Sequence, residues 1–277
     1  MRRATITTGT RPRLLLAVMI ALTTSALAAP ASAEDACSAT KAIQRYDELM
    51  RGDGQVALLE MRVVRPQTTR TLRMRFWFQN GRRDGANGED RSLARVEAPA
   101  AERGVASLML GNKMWSFVPS TGRVQQVPES MMLGSWMGSD WTNDDVVRET
   151  SLLDDYRVIS SSPVDQGGQA CKMVLEPRSG REVTWPRLVF VTRRGGEDDL
   201  MPLREEFYSR RAGELVLARV MTFSAFQVMG GRRLPTVMSL EPAGRAGQRT
   251  EMRYLSLEFD AQIPDQIFSL NNLQRGR

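Results

Sequence analysis

Residues 71–80 read TLRMRFWFQN, and their alternation decides the fold class. Leu72, Met74, Phe76 and Phe78 share one face of an extended chain, because successive side chains of a strand point to opposite sides. Arginines and a glutamine occupy most of the intervening positions. Asn80-Gly81 follows directly and is a turn signal. The stretch therefore predicts a strand with one apolar face.

The same two-residue period recurs along most of the chain. It begins at Ala57, and the further strand-like runs are Val105–Leu110, Lys113–Val118, Gly122–Val127, Tyr156–Ser160, Ala170–Leu175, Arg187–Thr192, Arg204–Ser209, Leu215–Val228, Arg232–Leu240 and Thr250–Phe259. Short turns rich in glycine or proline separate them, as expected for a large antiparallel sheet. Ala39 to Arg51 instead has helical spacing and ends at Gly52. We predict one mainly β (α+β) domain over residues 34–277, with a helix at its start.

Several runs are apolar on both faces. Val56 and Leu58 alternate with Ala57 and Leu59, and within residues 105–110 every position except Ser107 is apolar. The elements available to cover a second face are few: one helix and one irregular loop. A strongly curved sheet that wraps its concave face around these elements would bury both sides and enclose an apolar pocket. Such a pocket is expected to offer no charge clamp and no metal, and to suit acyl chains.

The irregular loop is residues 128–148, PESMMLGSWMGSDWTNDDVVR. Thr142, followed three residues later by Asp145, predicts the N-cap of a short helix from Thr142 to Glu149. The acidic residues here lack the glycine and glutamate of a calcium loop, so a metal site is disfavoured. Two interpretations stay open for the large side chains of this loop: ordinary core, or an adaptable cover over an apolar cavity. These side chains are Met131, Met132, Trp136, Met137 and Trp141.

The composition excludes the commonest catalytic machinery. The chain of 277 residues has no histidine, which removes Ser-His-Asp and Cys-His catalytic units and histidine-ligated metals. The adjacent carboxylates Asp154-Asp155, Asp198-Asp199 and Glu205-Glu206 are interpreted as solvated surface, since neighbours on a strand face opposite ways. We predict no cofactor and no catalytic residue. A carboxylate-based hydrolase ranks last among the alternatives.

The first 33 residues are typical of a secretory signal peptide. A basic leader precedes the apolar run Leu14–Leu22, and Ala31-Ser32-Ala33 matches a small-residue cleavage site. Removal of these residues takes away four arginines, so the formal charge of +6 falls to +2. A nearly neutral mature protein does not favour nucleic acid as a partner. We predict export after cleavage behind Ala33, and the family resemblance described below implies the periplasm as the destination.

The chain has two cysteines, Cys37 and Cys171. An oxidising export compartment permits a disulfide between them. The sequence does not show that they approach each other, so a disulfide and two separate thiols both stay open.

The central part of the chain resembles the outer membrane lipoprotein-sorting protein family, the LolA-like superfamily of periplasmic carriers. The matching positions are Pro99, Arg103, Gly104, Trp115, Phe117, Pro119, Arg123, Val124, Met137, Gly138, Ser139, Asp140, Trp141, Thr142 and Asp145, together with the ending Ile263-Pro264, Ile267-Phe268-Ser269-Leu270 and Leu273. The resemblance extends over most of residues 37–275. It implies an open half-barrel with helices in its mouth, and it supplies no catalytic residues.

The resemblance also implies a function. We expect a non-catalytic, monomeric carrier of lipoprotein or lipid acyl chains, working beside an RND-type inner-membrane exporter and an outer-membrane acceptor. A lipid-sensing adaptor of such an exporter is the alternative. Candidate residues for the cavity or its lid are Met131, Met132, Trp136, Met137, Trp141, Trp115, Phe117, Phe76 and Leu108.

Overall fold

The computed structural model describes Met1 and residues 37–81, 88–147, 152–164, 169–181, 183–194 and 200–275. Within these residues, the runs of alternating side chains form one antiparallel sheet of 13 strands. The strands are β1 (Gly54–Arg65), β2 (Thr68–Gln79), β3 (Arg91–Ala98), β4 (Ala106–Leu110), β5 (Lys113–Val118), β6 (Arg123–Gln126), β7 (Tyr156–Pro163), β8 (Ala170–Pro177), β9 (Arg187–Arg193), β10 (Pro202–Arg211), β11 (Glu214–Met229), β12 (Arg232–Pro242) and β13 (Arg249–Phe259). The helices are α1 (Ala39–Met50), α2 (Asn143–Val147), α3 (Leu152–Asp155) and α4 (Leu270–Arg275). The expected open half-barrel is confirmed.

The strand order shows how the chain passes over the sheet. It is β6-β5-β4-β3-β2-β1-β13-β12-β11-β10-β9-β8-β7, so β1 and β13 pair at the centre and β6 and β7 form opposite edges. The chain meanders from β1 outward to β6 and returns from β7 to β13. Residues 127–155, the crossing segment, must therefore connect one edge to the other.

The face covered by α1 and the crossing segment, the inner face, carries the predicted apolar stripe. Leu72, Met74 and Phe78 of β2 are at most 2% exposed. Their partners on β1 include Met61 opposite Leu72, in the register expected of two strands that share one buried face. This confirms the prediction made from residues 71–80.

Helix α1 covers the other half of the inner face. The predicted helix from Ala39 to Arg51 is confirmed as Ala39–Met50, with Ile43 fully buried. The Tyr46 ring makes edge-to-face contacts with Phe190 and Phe223, at centroid distances of 5.1 and 5.7 Å. Such contacts add to the burial of α1 against β9 and β11.

A disulfide between Cys37 and Cys171 fixes the start of α1 to β8. The two Cα atoms lie 5.8 Å apart, a normal separation for a bridged pair. Of the two alternatives for these cysteines, the structure has the disulfide. Helix α1 is therefore joined covalently to the edge half of the sheet.

The opposite, outer face of β3–β5 is covered by the C-terminal segment. Phe268 and Leu273 pack with residues of β3, β4 and β5 in one cluster, which also contains Leu93, Ala106, Leu108 and Phe117. The sequence suggested that cover for a second face was scarce. The C-terminal segment supplies that cover, so these strands are apolar on both faces because each face has its own core.

The predicted signal peptide, residues 1–33, lies outside the described residues apart from Met1. Among the helices that are described, none combines the length and apolar character needed to cross a membrane.

Candidate functional site

A cavity of about 250 Å³ lies between the inner face and the elements that cover it. Both halves of the sheet contribute to its walls, through Leu59 and Phe76 on one side and Leu188 and Phe207 on the other. Aromatic and thioether side chains are the largest group in this lining; besides Phe76 and Phe207 they are Tyr46, Met50, Trp136, Trp141, Tyr156, Trp185, Met221, Met238, Met252 and Tyr254. These groups give an apolar surface that can adapt to the shape of a ligand.

Two tryptophans of the crossing segment form part of the cavity wall. The indole Nε1 of Trp136 donates a hydrogen bond to Ser107 Oγ at 3.0 Å, and Trp136 is 4% exposed. The Trp136 amide donates to the Trp141 carbonyl at 2.8 Å, which closes a tight loop between them. Met137 and Gly138 turn this loop with left-handed backbone conformations. The loop thus holds both indoles at the cavity.

The helix predicted after this loop begins with a capping box. The Thr142 amide donates to Asp145 Oδ2 at 2.7 Å, and the Asp145 amide donates to Thr142 Oγ1 at 3.1 Å. This reciprocal pair satisfies two amides at the start of α2. The predicted N-cap at Thr142 is confirmed, and the helix is described over Asn143–Val147; its predicted end at Glu149 lies outside the described residues.

A buried ion pair joins α2 to the sheet beside the cavity. Arg219 of β11 donates from Nη1 and Nη2 to the Asp145 carboxylate at 2.6 and 2.5 Å. Its guanidinium carbon lies 4.3 Å from the ring centroids of both Trp185 and Phe207. Arg219 is 5% exposed, so this charge is stabilised by one carboxylate and two aromatic faces.

Other polar contacts fix the crossing segment to the centre of the sheet. Asp140 accepts hydrogen bonds from Arg65 Nη1 at 3.0 Å and from Thr250 Oγ1 at 2.6 Å. Arg70 donates to the Met137 carbonyl at 2.7 Å. The segment is therefore attached to β1, β2 and β13 as well as to β11, and these contacts hold it in the cavity wall.

Glu205 of β10 is the most deeply buried acid of the cavity wall. It is 4% exposed, and burial raises the pKa of its carboxyl from 4.5 to about 8. Arg219 opposes this increase, whereas Asp145 and Asp47 add to it. The interpretation of Glu205 as solvated surface was wrong, because it shares a strand face with Phe207 and that face lines the cavity. The expectation of a pocket that offers no charge clamp needs the same correction, since Glu205 and the Arg219–Asp145 pair lie in its wall.

The structure divides the predicted site residues into three groups. Trp136, Trp141 and Phe76 line the cavity. Met132 and Met137 are half-buried against the neighbouring core, and Met131 is 59% exposed. The remaining three lie in the outer-face cluster beneath the C-terminal segment, away from the cavity wall: Leu108, Trp115 and Phe117.

The pattern of strand alternation contained a signal for the residues that were missed. Arg219, Met221 and Phe223 have the same parity along β11, so a charged side chain had to share the face of two apolar ones. Glu205 and Phe207 have the same relation on β10. A charged residue within an apolar stripe is thus the feature that could have identified this part of the site.

Comparison with known proteins places this fold among solved structures. A family model described as "Uncharacterized protein" matches residues 88–275, which is more than half of the chain. A search of the curated proteins found no match. A DUF1329 family protein from Desulfovibrio piger superposes with a TM-score of 0.71 at 22% identity, covering 86% of this chain and 99% of that chain.

Two further solved structures share the architecture. One is an outer membrane lipoprotein-sorting protein domain from Vibrio parahaemolyticus. It superposes with a TM-score of 0.68 at 20% identity, covering 88% of this chain and 100% of that chain. The other is a LolA superfamily protein from Nitrosomonas europaea, with a TM-score of 0.64 at 22% identity over 84% of this chain and 98% of that chain. At these identities the similarity shows a common fold.

Proposed function

Because this chain belongs to the family whose model matches residues 88–275 and has the fold of LolA superfamily proteins, we propose that it is a carrier of acyl chains. In this proposal the exported protein binds the acyl chains of a lipoprotein or lipid in the periplasm and transfers them toward the outer membrane. No step of this process requires catalysis. The binding site is the cavity between the inner face, α1 and the crossing segment.

The lining of the cavity is the observation that carries the proposal. It is formed largely by aromatic rings and methionines from both halves of the sheet. Burial of an acyl chain against such groups stabilises the complex by about 0.8 kcal/mol per CH₂, without specific polar contacts. The volume of about 250 Å³ lies just below the usual range of roughly 300–1,000 Å³ for ligand pockets. A chain therefore enters by displacing side chains of the wall.

Methionines make such a displacement possible. Met221, Met238 and Met252 line the cavity from adjacent strands β11, β12 and β13. Their unbranched side chains change rotamer at little cost, so they adapt to chains of different length. The crossing segment is held by ion pairs and hydrogen bonds, so we propose that its indoles act as a cover that opens only when those contacts separate.

A titration with a fluorescent acyl probe tests the proposal. The variant Met238→Trp places a larger side chain in the cavity and is expected to weaken binding of the probe by at least about tenfold. Met131→Trp is the matched control, since it makes the same exchange at an exposed position of the crossing segment. Circular dichroism and urea unfolding of both variants establish that each is folded.

The proposal fails if the wild-type protein binds no acyl probe, or if both variants bind as tightly as the wild type. Native mass spectrometry of protein purified from the periplasm gives an independent result, because a carrier is expected to retain lipid that organic solvent extracts. Protein that is consistently empty and also fails to bind the probe would contradict acyl-chain transport.

The adaptor function is the second candidate, and an outer-face groove favours it. This groove lies beside α4 and is lined by Arg75, Trp77, Arg95 and Arg103, among others. It is separate from the cavity and leaves cationic and aromatic groups at the surface. An RND-type exporter that binds the protein equally well with and without lipid would favour the adaptor over the carrier.

A further inference from the structure

The outer-face groove beside α4 is unevenly charged. Its volume is about 1120 Å³, and the residues described around it include four arginines and one acid, Glu97. The arginines are Arg75, Arg95, Arg103 and Arg275. Arg75 binds the Glu97 carboxylate at 2.8 Å, and Arg73 of the same strand lies 3.9 Å from it. The acid of the lining is therefore already shared by two arginines.

The other arginines of the groove have no acidic partner. Within the described part of the chain, Arg95, Arg103 and Arg275 form no ion pair. Arg103 Nε donates to the Glu97 carbonyl at 3.0 Å, and Arg95 Nη2 donates to the Asn272 carbonyl at 2.6 Å. Both acceptors are uncharged, so the groove has an excess of positive charge.

Two of these arginines lie directly opposite each other on neighbouring strands. Arg75 of β2 is the register partner of Arg95 of β3, and both alternate with the inner-face residues Met74 and Ala94. Like charges directly opposite each other on one face of a sheet are destabilising. An anion bound over this pair would relieve the repulsion.

Arg95 is the least exposed of the four cations. Its hydrogen bond to Asn272 caps the last turn of α4, which explains its position but leaves its charge without a counter-ion. Its Nε is buried with no acceptor among the described residues, and burial lowers the pKa of its guanidinium. A partly desolvated cation attracts an anion more strongly than one in water.

The shape and lining of the groove favour a peptide chain as the ligand. Phe117 lies in the same cross-strand row as Arg95, and Trp77 lines the groove with it, so the floor is both cationic and apolar. The volume exceeds the roughly 300–1,000 Å³ of most small-molecule pockets. A bilayer surface is flat and contacts protruding groups, whereas an extended segment reaches the floor of a groove.

We propose that the outer-face groove binds an extended acidic segment of a partner protein. Carboxylates of the segment pair with Arg103 and with the Arg75–Arg95 row, and an apolar side chain between them packs against Trp77 and Phe117. Arginine clusters recognise acidic segments by such charge-assisted hydrogen bonds. The groove lies on the face of the sheet opposite the cavity, so this inference does not depend on acyl-chain binding.

Two fluorescent peptides of about ten residues test the proposal against the full mature protein. The acidic peptide repeats glutamate-serine-leucine-serine, so that glutamate and leucine share one face of an extended chain. Its neutral twin has glutamine in place of each glutamate. At low ionic strength, anisotropy is expected to show at least about tenfold tighter binding of the acidic peptide, and salt should reduce the difference. Equal binding of the two peptides overturns the proposal.

Single substitutions locate the binding in the groove. Arg103→Gln changes an exposed side chain and is expected to weaken binding of the acidic peptide about threefold, whereas Arg95→Gln should weaken it about tenfold. Arg157→Gln is the matched control, because it removes the same charge at an exposed position of the edge strand β7. Since Arg95 also caps α4, urea unfolding of each variant establishes that it is folded, and Arg103→Gln decides the result if Arg95→Gln is not. An equal loss in Arg157→Gln and Arg103→Gln would refute the assignment.

Anionic vesicles and the acyl probe separate the remaining outcomes. Sedimentation with vesicles of phosphatidylglycerol and phosphatidylcholine that depends on Arg103, with no preference for the acidic peptide, would assign the groove to a membrane and overturn the partner segment. The affinity of Arg103→Gln for the acyl probe is expected to equal that of the wild type. Wild-type protein that binds the acidic peptide but no acyl probe would contradict the carrier function and leave this inference intact.

Discussion

Replacement of Glu205 by glutamine should change how the stability of the fold depends on pH. The carboxyl has a pKa of about 8 in the folded protein and 4.5 as its unperturbed value, mainly because burial disfavours its charge. Between these values the folded state binds more protons than the unfolded state, so the free energy of unfolding decreases as pH rises. The stabilising effect of the neutral carboxyl is complete below 4.5 and is lost as pH rises through 8.

The size of the effect follows from the two pKa values. Relative to low pH, where the carboxyl is protonated in both states, the easier ionisation of the unfolded state lowers the stability by about 2 kcal/mol at pH 6 and by roughly 5 kcal/mol at pH 9. The variant Glu205→Gln does not ionise, so its stability relative to the wild type should increase by about 3 kcal/mol over this interval. Charged neighbours, namely Arg219, Asp145 and Asp47, are present in both proteins, and their own contributions largely cancel in the difference.

Urea unfolding of wild type and variant at pH 6, 7, 8 and 9, followed by tryptophan fluorescence, measures this difference. Glu206→Gln serves as the control, and its difference from the wild type should stay nearly constant across the series. If the stability difference between Glu205→Gln and the wild type also stays constant from pH 6 to pH 9, the Glu205 carboxyl is hydrated. The account of the cavity's buried end would then be wrong.

Three further predictions concern the attachments of the inner and outer faces. Replacing both Cys37 and Cys171 by alanine removes a link across 134 residues and should lower the free energy of unfolding by about 5 kcal/mol; urea unfolding of the wild type with a reducing agent should show the same loss. Asp145→Ala leaves the Arg219 guanidinium buried without its carboxylate and should cost about 3–5 kcal/mol in urea unfolding, much of it recovered when Arg219→Met is added. Phe268→Ala should lower the free energy of unfolding by about 3–5 kcal/mol in the same measurement and leave the affinity for the acyl probe unchanged. A loss of binding would show instead that the outer-face cluster supports the cavity.

Local patterns predicted the elements of this fold because each pattern reflects a local cause. The alternation of Leu72, Met74 and Phe78 predicted a strand, and all three are buried on one face. The Thr142–Asp145 spacing predicted a helix start, and the two residues form a capping box. In both cases the interaction that decides the structure lies within a few residues along the chain.

The assignment of side chains to faces depended on contacts distant in sequence. Alternation shows that Leu108 shares a face with its cross-strand partner Trp115, but it does not identify that face as inner or outer. The C-terminal segment decides this, because it packs on the outer face, where Leu108 is buried and Trp115 is partly buried. The family resemblance marked Trp115 and Phe117 without indicating that they lie on the side opposite the cavity.

The strand order also determines which charged residues meet at the cavity, because it requires the crossing segment to pass over the sheet. Arg219 and Asp145 are 74 residues apart, and they meet because the segment that joins the two edges of the sheet passes over β11. The same passage places Asp145 close enough to Glu205 to raise the pKa of its carboxyl. The position of the crossing segment and the charge state of the cavity's buried end are therefore coupled, because Asp145 takes part in both.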